Sequence, residues 1–252
     1  MARLSEVVAF LDRELRTAEI PDYPGAHNGL QLQNQGGELT RVAAAVDASL
    51  EVIDEAVELG ADLLIVHHGL FWQGVRMFTG PQYQKIKRAM DAGLAIYSSH
   101  IPLDVHPLYG NNALLAKSLG MEVTGTFMPW KGIELGLRAN SAFDKLTELE
   151  SLIEKKVGPV ISSHVGEAEV GELGIITGGA GSEVEAAAAE GISTFITGEG
   201  PHWSFPLARE LGLKVIHAGH YATETFGVRE MAKVVGEKFG LEGVFIDRPT
   251  GL

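Results

Sequence analysis

A chain of 252 residues, 45% hydrophobic and 21% charged, has core material for one large domain or two of about 125 residues, and that composition excludes disorder and fibrous repeats. Twenty basic against 33 acidic residues leave a net charge of −13, which disfavours a broad grip on nucleic acid. The absence of cysteine excludes disulfides, thiolate nucleophiles and thiolate metal sites.

The opening MARLSEVVAFLDRELR is amphipathic, with early acids, and its periodicity predicts a helix over residues 5–16. It lacks the basic flank and continuous apolar stretch of a signal peptide. No apolar run approaches the ~18–20 residues of a membrane span. A cytoplasmic protein with no membrane partner is therefore expected. Arg41–Asp47 reads as a strand and Leu50–Leu59 as a helix closed by Gly60. The apolar runs Asp62–Val66 and Leu94–Ser99 read as buried strands, with helices at Tyr83–Ala92 and Asn111–Leu119. Gly125, Pro129 and Gly132 punctuate Thr124–Lys131, which is taken as the joint between two halves. Beyond it come helices at Phe143–Lys156, Phe205–Leu211 and Ala222–Phe239, and strands at Leu173–Thr177, Thr194–Thr197 and Leu213–His217. Alternating buried strands and helices mark an α/β fold.

Residues 42–72 slide onto residues 173–203 without a gap. Five positions are identical (Ala56/Ala187, Gly60/Gly191, Ile65/Ile196, Gly69/Gly200, Trp72/Trp203), and the strand–helix–strand pattern stays in phase throughout. His67-His68 falls on Gly198-Glu199, and the next strand repeats as Gly93–Ile96 against Gly212–Val215. The expectation is a duplicated three-layer α/β/α unit: residues 1–125 as a first lobe, residues 126–252 as a second, the C-terminal segment packing back on the first, and a site between the lobes.

Of nine histidines, His67, His68, His100 and His220 sit just past strand ends, where open α/β sheets place their ligand sites. Asp104, Glu199 and Glu224 share that address, in His100-x-x-x-Asp104 and His220-x-x-x-Glu224. Imidazole and carboxylate without thiolate suit Zn, Fe, Mn, Co or Ni rather than Ca. The candidates exceed the three or four ligands of one ion, so two divalent ions per chain are expected. Pro102 is expected to keep the His100–Asp104 stretch out of regular helix. His27, His106, His164, His202 and His217 read as structural or supporting. Phe71 and Trp72 read as pocket wall or core. The turn Thr177–Gly181 reads as a plain turn or a phosphate cradle.

HHGLFW, SSHIPLDVHPLYGNNALLAKSLG, ITGEG and HAGHYATETFGV, with the early NGLQ at residues 28–31, resemble the Nif-three-like family of hexameric dinuclear metal-centre proteins, whose members are often labelled GTP cyclohydrolase 1 type 2 homologues. The resemblance covers nearly the whole chain. It implies metal ligation by His67, His68, Asp104, His220 and Glu224, with His100 at the rim of the site, and a ring-shaped homohexamer. Longer members carry an extra domain between the halves, for which 252 residues leave no room.

Two functions compete. One is a metal-dependent hydrolase, cyclohydrolase-like or phosphoesterase, acting on a small anionic or nucleotide-like substrate, with His100 or Glu199 carrying protons. The other is a non-catalytic metal-holding or regulatory scaffold using the same ligands. DNA binding through a ring is disfavoured by the charge.

Overall fold

The computed structural model describes residues 1–72 and 74–252. The first half of the chain runs β1 (Ala2–Arg3), α1 (Leu4–Glu14), β2 (Gly29–Leu32), β3 (Glu38–Leu39), β4 (Arg41–Asp47), α2 (Leu50–Glu58), β5 (Leu63–His68), α3 (Gly80–Ala92), β6 (Ala95–Ser98), α4 (Ile101–Asp104) and α5 (Asn111–Ser118). The second half continues with β7 (Glu122–Trp130), β8 (Ile133–Asn140), α6 (Leu146–Lys156), β9 (Ile161–Ser162), β10 (Leu173–Ile175), α7 (Val184–Ala189), β11 (Thr194–Thr197), α8 (Ser204–Glu210), β12 (Lys214–His217), α9 (His220–Phe239) and β13 (Glu242–Phe245). No helix among the described residues is long and apolar enough to cross a membrane.

The chain divides into two compact units. The first holds Met1–Leu103 and Gly227–Arg248, and the second Asp104–Phe226 and Pro249–Leu252. The joint expected at Thr124–Lys131 falls instead within β7 and its turn. Its three chain breakers are absorbed there. Pro129 sits on the edge strand of a sheet, where a missing N–H costs least. Lys131 and Gly132, at φ of 47° and 88°, close the two-residue turn into β8, as a primed hairpin turn requires.

In the first unit the sheet order is β13-β4-β5-β6-β2, with β4, β5 and β6 parallel and β2 antiparallel on β6. Side chains alternate across this sheet. The row Ala43–Leu64–Ile96 faces a cluster that includes Val52, Ile53 and Ala56 of α2 and Ala89 of α3. The neighbouring row Ala44–Ile65–Tyr97 points the other way, and the Tyr97 hydroxyl donates to Asp12 Oδ1 of α1 at 2.8 Å. Ser49 caps α2 through its hydroxyl, which accepts from the Val52 N–H.

In the second unit the order is β7-β8-β10-β11-β12-β9, with β10, β11 and β12 parallel and β9 antiparallel on β12. Ile175, Ile196 and Ile216 form a row that packs with Leu115 and Ala116 of α5 and with Leu149 and Ile153 of α6. Phe195 and Val215 face the opposite cluster, with Val184 and Ala187 of α7 and Ala208 of α8. Each unit is therefore helix–sheet–helix.

The duplication is visible in the register. Val42 pairs with Leu63 and Leu173 with Thr194, so the gapless sequence offset carries one strand pair onto the other. Leu63 pairs with Ala95 and Thr194 with Lys214, which continues the match through the third strand. The units differ at the far edge: β13 lies parallel to β4, whereas β8 lies antiparallel to β10.

Candidate metal centre

In the first unit, His67 and His68 end β5, and His100 follows the end of β6 by two residues. These are the carboxyl ends of adjacent parallel strands. All three imidazoles are buried, and one ligand atom of each lies within 4.8 Å of the other two. His67 Nδ1 faces the Ser99 carbonyl at 2.9 Å, an acceptor only, so Nδ1 carries the proton and Nε2 the lone pair. His68 sits opposite Asp47 in the β4–β5 register, and its Nδ1 donates to Asp47 Oδ1 at 2.9 Å. His100 Nδ1 donates to Asp22 Oδ1 at 2.8 Å. Trp72 stacks on His68 with centroids 4.6 Å apart and lies 4.2 Å from the His100 ring, so the indole covers two imidazoles. Phe71 packs against the α2–α3 core and edge-on to His27.

The loop before β2, together with β2 itself, holds this arrangement. Asn28 accepts from the His100 N–H at 2.9 Å, and Gln31 accepts from the Leu70 N–H at 2.7 Å. These contacts supply a physical reason for the NGLQ segment. Gly69 leaves room for Gln31, whose amide lies 2.4 Å from where a Cβ would stand. Asp22 accepts four hydrogen bonds, from His100 Nδ1, Asn28 Nδ2 and the backbone N–H groups of Tyr23 and Ile101. Burial pushes its pKa up, but the His100 hydrogen bond and charge, with Asn28 and Tyr23, hold it below the ordinary carboxylate value.

In the second unit, α9 begins at His220, two residues earlier than its periodicity predicts, and so carries Glu224 one turn on, on the same face. His220 Nε2 lies 3.2 Å from Glu224 Oε1, and its Nδ1 lies 2.8 Å from Glu199 Oε1. Burial opposes the imidazolium, but the two carboxylates more than offset it and raise the His220 pKa to about 9. Glu224 is buried. Asp104 Oδ1 accepts from Asn111 Nδ2 at 2.8 Å and from the Thr177 hydroxyl at 3.3 Å. The next residue, Gly178, has φ of +69°, and a Cβ there would stand 2.2 Å from Glu224 Oε1. One turn after β10 thus touches both Asp104 and Glu224.

Two expectations change in detail. The glycine-rich turn forms as a plain turn, with three of its amides engaged internally. Thr177 N–H donates to Asn112 Oδ1, Gly178 N–H to Thr223 Oγ1 and Gly181 N–H to the Glu199 carbonyl. Ile101–Asp104 is a helical turn rather than loop, since Pro102 lies in the first turn, where no intrahelical N–H is needed.

His100 and Glu199, read as proton carriers, have their facing atoms in hydrogen bonds to Asp22 and to His220. His106 accepts from the Leu108 and Tyr109 N–H groups and stacks on Tyr109. His217 is buried edge-on to Phe205, and burial lowers its pKa. Asp22 and Asp47 are additions from the structure. Asp47 closes a strand of the repeat, a signal in the sequence. Asp22 lies in Pro21–Gly25, outside every motif of the sequence.

The chain has extensive similarity to known proteins. A protein of Deinococcus radiodurans named GTP cyclohydrolase 1 type 2 homolog is 39% identical over 249 residues, 98% of this chain and 94% of the relative. One of the same name from Pyrococcus abyssi is 40% identical over 250 residues, 98% of each chain. A solved structure described as protein ybgI, of unknown function, superposes with a TM-score of 0.90 at 34% identity over the whole of both chains. The family model of Duf34/NIF3 (NGG1p interacting factor 3) matches residues 2–250. With that match and relatives near 40% identity over almost the full length, the chain belongs to the Duf34/NIF3 family.

Proposed function

We propose that the chain binds two divalent metal ions and uses them to hydrolyse a small anionic, nucleotide-like substrate. The observation that carries the reading is the set of imidazoles at the strand ends. His67, His68 and His100 each hold Nδ1 against an acceptor, so that each Nε2 lone pair is presented for ligation. The family resemblance adds Asp104, His220 and Glu224 to the ligand set, and Glu199 orients His220. Nitrogen and carboxylate donors without sulfur fit Zn, Fe or Mn. When bound, the two ions supply Lewis acidity and lower the pKa of water. Asp104 and Glu224 neutralise only half of their charge. An anionic substrate is therefore attracted to a positive island in a protein of net charge −13. The name carried by the curated relatives supports a nucleotide-like substrate.

Screening metal-loaded protein against nucleoside phosphates and phosphoesters tests the reading. Turnover is expected to vanish with chelator, return with added divalent metal, and fall in acid, where protons compete with the metal for its imidazole ligands. If fully metallated protein turns over none of these compounds, a metal-holding scaffold replaces the hydrolase.

A further inference from the structure

We propose that Asp22 is a positioning residue that fixes the tautomer and ring orientation of His100, so that His100 presents Nε2 as a third imidazole for metal. The inference rests on the metal-binding reading above and adds a residue outside every sequence motif that points to it.

The geometry is that of a built acceptor rather than a chance surface contact. The Asp22 side chain is only 7% exposed, and that of His100 only 10%. Both carboxylate oxygens are used. Oδ1 accepts from His100 Nδ1 at 2.8 Å and from the Tyr23 N–H at 2.6 Å. Oδ2 accepts from Asn28 Nδ2 at 2.8 Å and from the Ile101 N–H at 2.9 Å. Asn28 in turn accepts from the His100 N–H, so backbone and ring of His100 are tied to one loop. Four donors converge on one carboxylate and leave it little rotational freedom. An ionised carboxylate can only accept, so the ring nitrogen facing it must carry the proton.

The other face of the ring looks toward the imidazoles of β5. The His100 centroid lies 4.9 Å from that of His67 and 5.7 Å from that of His68. His100 thus repeats the arrangement of His68 on Asp47 and of His220 on Glu199, a carboxylate behind each imidazole. Of these three carboxylates Asp22 is the most buried, with 7% exposure against 34% for Asp47 and 42% for Glu199. An amide in its place would turn one acceptor into a donor facing two N–H groups. Asp22→Asn therefore either faces the ring with a donor or breaks the hydrogen bonds from Asn28 and Ile101 that hold the side chain in place.

The test has two readouts. In metal-free wild-type protein, ¹⁵N NMR of labelled imidazoles should find His100 as the Nδ1–H tautomer. Finding the Nε2–H tautomer overturns the proposal without any variant having to fold. The second readout is Zn²⁺ affinity, measured by chelator competition for wild type, Asp22→Asn, His100→Ala and the double variant. Asp22→Asn should weaken Zn²⁺ binding on the order of 10–100-fold, and should weaken it no further once His100 is alanine. An unchanged affinity, or a full and additive loss in the His100→Ala background, shows that Asp22 does not act through His100. A wild-type chain that binds no Zn²⁺ refutes the metal reading, whereas the tautomer still decides the role of Asp22.

Discussion

His67, His68, His100 and His220 each hold Nδ1 against an oxygen acceptor, and this shared constraint is what makes the four rings chemically alike. His220 differs in lying between two carboxylates, and without metal it holds a proton there, with a pKa of about 9. A folded-state pKa above the unfolded value contributes stability that is complete below about pH 6.5 and is lost as pH rises through about 9. Thermal denaturation of metal-free protein should therefore show a melting temperature that falls between those limits. Glu224→Gln should make the decline shallower, because the carboxylate that does most to raise the His220 pKa is gone. A flat profile in wild type would show that Glu199 and Glu224 do not hold that proton. The histidines and the Asp104 and Glu224 carboxylates are legible in the sequence because they sit at strand ends in a repeat. Asp22 is not, since its contacts to His100 and Ile101 span nearly eighty residues and no local spacing encodes them.

The turn joining β10 to α7 shows how an element serves a site. Gly178 combines a left-handed backbone with direct contact to Glu224, so a methyl group there meets a buried carboxylate as well as backbone strain. Gly178→Ala should cost about 1–3 kcal/mol of stability and weaken metal binding together. Chemical denaturation and chelator competition on the same preparation check both. Loss of stability with unchanged metal affinity would mean that Glu224 is not a ligand. The parallel strands and most helices are legible from apolar runs and from glycine stops such as Gly93, which closes α3 at φ of 68°. The β7–β8 hairpin is not, because Pro129 and Gly132 look like a linker until β8 pairs with β10 and makes β7 an edge strand. β13 is likewise hidden, since four residues, none of them buried, become a strand only on β4.

At the scale of the whole molecule, the duplication explains why both units gather their chemistry at the carboxyl ends of three parallel strands. The matching registers of β4–β5–β6 and β10–β11–β12 place His67-His68 and Gly198-Glu199 at equivalent ends. Assembly is a property of this scale too. The family resemblance implies a homohexamer, so light scattering should return about six times the 27.0 kDa chain mass. A monomer at micromolar concentration would contradict it.

The most direct measurement is the metal content of metal-replete protein, taken with that of His67→Ala from the first unit and Glu224→Gln from the second. Wild type should hold two divalent ions per chain, and each substitution should weaken the binding of both, as the proposed ligand set requires. A plateau at one ion in wild type, or full retention of both ions by either variant, would contradict that proposal.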